Sequence, residues 1–159
     1  MKKYIHIFVV IIFLVVAFFV LTYRENIKDI SPEEIKYVEL GNKILNVDLA
    51  LTAKEQERGL SGRKELKENA GMLFVFNLTT VHYFWMKDMN FSIDMIWLDE
   101  FGQVVYIQKN VSPDSYPTLF GPNKSSKYVL ETQAGFSEKN NIEVGMKANF
   151  SSSVPILKF

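Results

Sequence analysis

FSIDMIWLDEFGQVVYIQKNV, residues 91–111, is the stretch that decides the fold. Two runs rich in Ile, Val, Tyr and Trp, FSIDMIWL (91–98) and QVVYIQKNV (103–111), flank the turn DEFG with Gly102 at its end. Apolar runs of that length, separated by a short glycine-containing turn, predict a β-hairpin. Within the first run Asp94 shares parity with Ile96 and Leu98, so its carboxylate turns where apolar side chains turn. A carboxylate there is costly unless it is paired with a cation or hydrogen-bonded.

Toward the N-terminus, alternation begins at Ile44. Leu45, Val47, Leu49 and Leu51 share one face, and Asn46, Asp48 and Ala50 the other, the pattern of a half-buried strand. Thr52 and Glu55 form a T-x-x-E capping box, which predicts a short helix from Ala53 that Gly59 ends in a left-handed conformation. Residues 63–70 give either a second helical turn or a loop. GMLFVF (71–76) predicts a strand, Asn77 a turn, and VHYFWMK (81–87) a further strand. Pro113, Pro117, Gly121 and Pro122 make 112–126 mostly loop. YVLETQAG (128–135) predicts a strand ending at glycine, and the tail to Phe159 has room for one or two more. Evenly spaced strands with one or two short helices predict an all-β domain with minor α content, a sandwich or a barrel.

The first residues obey a different rule. Of the twenty residues 4–23, YIHIFVVIIFLVVAFFVLTY, all but His6 and Thr22 are hydrophobic. Such a helix spans roughly 30 Å, the thickness of a bilayer's hydrocarbon core. A cleaved signal peptide would have a shorter apolar core and a small-x-small site, and a core helix would not be apolar all round. The reading is a single-pass anchor over residues 1–23, a charged juxtamembrane linker over 24–36, and a β-rich domain over 37–159. Lys2 and Lys3 place the short N-terminus in the cytoplasm and the domain outside it, at the cell membrane.

Composition excludes several chemistries. The chain has no cysteine, so disulfide scaffolds, thiol catalysis and cysteine–zinc sites are excluded. His82 is the one histidine outside the apolar run, so no metal site is expected. There is no P-loop or G-x-G-x-x-G, and no cofactor is expected. Eighteen basic residues balance eighteen acidic ones, which gives no field to hold nucleic acid.

Four motifs carry a likeness to a known family: ERGL (57–60), GMLFVF (71–76), FWMKDM (84–89) with Asp94 behind it, and VLE with AG (129–135). In order and spacing, residues 47–144 resemble the domain-of-unknown-function 192 family. The resemblance implies a compact, jelly-roll-like β-sandwich, often behind a signal peptide or membrane anchor, and implies no activity. The family usually has Asn then Thr after F-W-M-K, where this chain has Asp88 and Met89, and Met after G-L, where it has Ser61.

The candidate site residues are Arg58, Trp85, Lys87, Asp88, Asp94 and Glu131. As a strand, 81–87 would turn Tyr83, Trp85 and Lys87 to one side and His82, Phe84 and Met86 to the other. Arg58, ending the capped helix, is the natural partner for Asp94. The pair is either a buried brace or, with Lys87 and Asp88, the polar rim of a pocket. Trp85 and Trp97 are either core or ligand platforms. Glu131, in an apolar strand, is either a hydrogen-bonded structural acid or a site acid. No catalytic residue is assigned. The expectation is a membrane-tethered, extracytoplasmic binding or accessory module of the cell envelope, for a small molecule or an envelope component. The competing expectation is a polysaccharide hydrolase with paired carboxylates drawn from Asp88, Asp94 and Glu131.

Overall fold

The structure, a computed structural model, describes residues 30–155 and the isolated positions Ile12 and Val15. The anchor expected over 4–23 otherwise lies outside the described residues. Among those residues, no helix is long and apolar enough to cross a membrane.

In chain order the elements are β1 (Tyr37–Leu40), β2 (Lys43–Ala50), α1 (Ala53–Arg58), β3 (Ala70–Thr80), β4 (Ile93–Leu98), β5 (Val104–Val111), β6 (Ser126–Gln133), α2 (Phe136–Lys139) and β7 (Ala148–Ser151). The domain is mainly β. Its strands join one seven-stranded sheet in the order β5-β4-β6-β3-β2-β1-β7. β2 and β3 pair in parallel, joined by the α1 crossover that a parallel pair requires, and the other neighbours are antiparallel.

Alternation along the strands sorts apolar side chains to the sheet's two faces. One face collects Val38, Leu45, Leu73, Ile96, Val104, Leu130 and Ala148, a contribution from every strand, and is the inside of the curl. The other collects Met72, Phe74, Met95, Trp97 and Val129, covered by Leu60 and Leu66 and by Met86. Both faces of β4 are thus buried along its whole length.

Two expectations change. The strands form a single curled half-barrel and not two facing sheets. Its edge strands meet at one end, where Val104 N–H donates to Met146 O, Gly145 N–H to Val104 O and Ala148 N–H to Gly102 O, each 2.8 Å. Second, 81–87 is not a strand. β3 runs through Asn77 to Thr80, with β6 on one edge and β2 on the other as far as Phe74. The segment after it crosses the outer face, and its strand-like contact is a bridge between Phe84 and Phe120. Asp88, at φ 55°, then turns the backbone out of any extended path.

Candidate functional site

Where 81–92 crosses the outer face it walls a cleft of about 390 Å³. The opposite wall is the end of α1 with Gly59, Leu60 and Ser61. The helix forms as the capping box dictates: Thr52 Oγ1 accepts from Glu55 N–H, and Glu55 Oε2 accepts from Thr52 N–H and Leu51 N–H. Gln56 Nε2 ties it to the sheet by donating to Val75 O at 2.9 Å and Ala50 O at 3.3 Å. Gly59 ends it at φ 50°.

The two walls are joined where they meet. Ser61 Oγ donates to Lys87 O at 2.7 Å, Gly62 N–H to Asp88 O at 2.8 Å and Asn90 Nδ2 to Arg63 O at 2.8 Å. The 81–85 backbone is held from its other sides by Trp97 Nε1, which donates to His82 O at 3.0 Å, and by Gly121. A Cβ on Gly121 would stand 2.6 Å from that carbonyl, so the approach requires glycine.

Aromatic rings make the interior. Phe84 stands edge-on to Phe74 (4.8 Å between centroids), Phe76 (6.3 Å) and Trp97 (5.8 Å), and His82 stacks on Phe76 at 3.5 Å. Burial pushes the His82 imidazole pKa down, toward its neutral form. Tyr83, Trp85 and Leu119 lie exposed at the mouth, so the apolar surface continues to solvent.

Glu131 is the buried acid of the cleft. It sits on central β6, opposite Met72 of β3 and Met95 of β4. It is 4% exposed, and its Oε2 is buried with no hydrogen-bond partner. Gly59 leaves it room: a Cβ there would lie 3.8 Å from Oε2 and 3.2 Å from the Phe74 ring. Loss of hydration pushes its carboxyl pKa up to about 8, against a smaller downward pull from the Arg63 charge.

Three of the six expected residues therefore meet here: Arg58 at the mouth, Trp85 in the wall at 43% exposure, and Glu131. Lys87 and Asp88 are exposed, and their carbonyls, not their side chains, hold the wall. Asp94 is elsewhere. It turns inward as its parity predicts and is fully buried, but it accepts backbone N–H groups from Asn110 (2.8 Å), Gly135 (3.1 Å) and Ser137 (2.8 Å). The Arg58–Asp94 brace is absent because the residues serve opposite faces. α1 covers the face of Phe74 and Glu131, whereas Asp94 lies beside Thr132 on the other. The same geometry keeps Asp94 and Glu131 from acting as paired carboxylates. Phe74, Phe76 and His82 were not foreseen as site residues; only their aromatic character signalled them.

The DUF192 family profile, described as Uncharacterized ACR, matches residues 36–150. The chain belongs to this family. The four motifs that mark this DUF192 domain converge on the cleft: Glu57 to Leu60 from the first, Phe74 and Phe76 from the second, Phe84, Trp85 and Met89 from the third, Glu131 from the fourth. The chain is similar to a crystal structure of a protein of unknown function from Novosphingobium aromaticivorans DSM 12444, with a TM-score of 0.69 and 28% identity over 72% of this chain and 84% of that one. It is also similar to a Sinorhizobium meliloti 1021 protein described as a candidate transcription regulator, with a TM-score of 0.68 and 26% identity over 74% of this chain and 92% of that one. No curated protein matches the chain significantly.

Proposed function

We propose that the domain is a small-molecule-binding module of the cell envelope, held outside the membrane by the apolar run 4–23. One observation carries the binding reading: a buried carboxyl with an unpartnered oxygen faces an aromatic cleft that is open to solvent. Buried polar atoms without partners are rare, and a ligand is a sufficient reason to keep one. The ligand would seat an apolar body on Phe76, Phe84 and Trp85 and present a polar group to Glu131. The regulator description of the Sinorhizobium protein is not extended to this chain, whose 18 basic and 18 acidic residues give it no net basic charge.

The full chain, extracted in mild detergent, should carry a small molecule visible by native mass spectrometry, and Glu131→Gln and Trp85→Ala should lose it. Retention by both variants would sink the cleft as the binding site. For the tether, the chain should stay with membranes through an alkaline wash; a mature N-terminus near residue 24 would refute it.

A further inference from the structure

We infer that the cleft takes an organic monocation, an amine or quaternary ammonium group on an apolar or aromatic body, with the positive group seated between Glu131 and the rings of Phe76, Phe84 and Trp85. The inference rests on the binding reading above and names the ligand class.

Residue choice is the first argument. A buried glutamine at 131 would offer a donor and an acceptor and would never titrate. A glutamate adds only the capacity to carry a full negative charge. In this apolar setting that capacity costs folding stability at neutral pH. The charge is useful only to something that neutralises it.

Among the described residues, no cation forms an ion pair with Glu131. Arg63 pulls on Glu131 less than burial pushes it, does not line the cleft, and is engaged with Asp48 at 2.6 Å. Arg58 stands exposed at the mouth, in water and away from the buried carboxyl. His82, the remaining titratable group in the interior, is held toward neutrality by burial. Met72 and Met95, on the strands flanking Glu131, contribute no charge.

The rings are the second argument. Aromatic faces carry negative potential and attract cations, more strongly where water is excluded. A carboxylate behind a set of rings is complementary to a cation with an apolar body. A cation alone gains a charge partner when this carboxyl ionises; a neutral group or an anion does not.

Three matched probes test this on the full chain in detergent: phenethylamine, 2-phenylethanol and phenylacetate, titrated calorimetrically at pH 6.5 in two buffers of different ionisation enthalpy. The amine should bind at least tenfold more tightly than either the alcohol or phenylacetate. Amine binding should release protons, because the carboxyl is protonated in the free protein at that pH and must ionise against the cation. Glu131→Gln, checked by thermal melt to be folded, should lose at least tenfold in amine affinity and all of the proton release. If the alcohol or phenylacetate binds as well as the amine, the monocation inference fails while the binding reading stands. If none of the three binds at millimolar concentration, both are overturned.

Discussion

Two carboxylates, one residue position apart across the β4–β6 ladder, show how environment decides a role. Asp94 is fully buried yet satisfied by three backbone N–H groups, so it organises the chain around it: the end of β5 and the start of α2. Asp94→Ala would leave the Ser137 N–H buried without an acceptor and the part-buried Asn110 and Gly135 N–H groups without theirs, at a cost of at least about 1–3 kcal/mol. Arg58→Ala should be near neutral, and the double mutant additive within about 0.5 kcal/mol, because the two residues do not touch. Chemical denaturation of the three variants checks this. Glu131 is the opposite case. Below pH 4.5 its carboxyl is protonated both in the native and in the unfolded chain. Between 4.5 and about 8 the unfolded chain releases that proton while the native chain keeps it, so rising pH favours unfolding. The contribution is whole below the lower value and is lost toward the upper one, by up to about 1.4 kcal/mol per pH unit. Glu131→Gln should remove that slope. Melting curves from pH 5 to 8 should show the variant gaining on the wild type as pH rises.

At the scale of elements, the cleft depends on one short helix and one irregular segment. α1 is a six-residue helix, too short to persist by propensity, and it holds through its capping box and the Gln56 bonds to the sheet. Thr52→Ala should cost about 1 kcal/mol and loosen the wall formed by Glu57 to Ser61. Hydrogen exchange should quicken at the Glu55 and Gly59 amides and leave β3 unchanged. In the facing segment, Asp88 occupies a left-handed backbone position, a conformation that Asn and Asp tolerate better than most residues. The family's usual Asn at this place, and this chain's Asp, share that backbone preference. The substitution therefore preserves the wall, whose bond from Gly62 is made to the residue 88 carbonyl.

On the scale of the whole molecule, the half-barrel is held by the seam between its edges. Gly102 lies in that seam at φ 77°, and a Cβ on it would stand 2.8 Å from Ala148 O. Gly102→Ala should therefore do more than tighten a hairpin turn. It should push β7 from β5, cost roughly 1–3 kcal/mol, and expose the Val104, Gly145 and Ala148 amides to exchange. The amides of β3 and β6, in the middle of the sheet, should keep their protection. If all regions lose protection equally, the seam is not a separate unit.

The local signals of this chain were legible because their physics is local. The capping box before α1, the 91–111 hairpin with Gly102 in its turn, the alternation of β2 and the inward turn of Asp94 follow from neighbours a few residues apart. The aromatic run 81–87 misled for the same reason. It has the composition of a strand, but β3 continues through Asn77 to Thr80 where a turn was expected, and the segment after it packs its rings on the outer face of the sheet, where Phe84 bridges Phe120. Tertiary structure alone decided which residues meet. Parity put Asp94 inside but could not say that backbone N–H groups, not Arg58, would receive it. It could not tell that Glu131, in an adjacent strand, faces the opposite side. Glu57, Phe74, Trp85 and Glu131 are far apart in the chain, and only the crossover of α1 and the passage of 81–92 over the sheet bring them around one cleft.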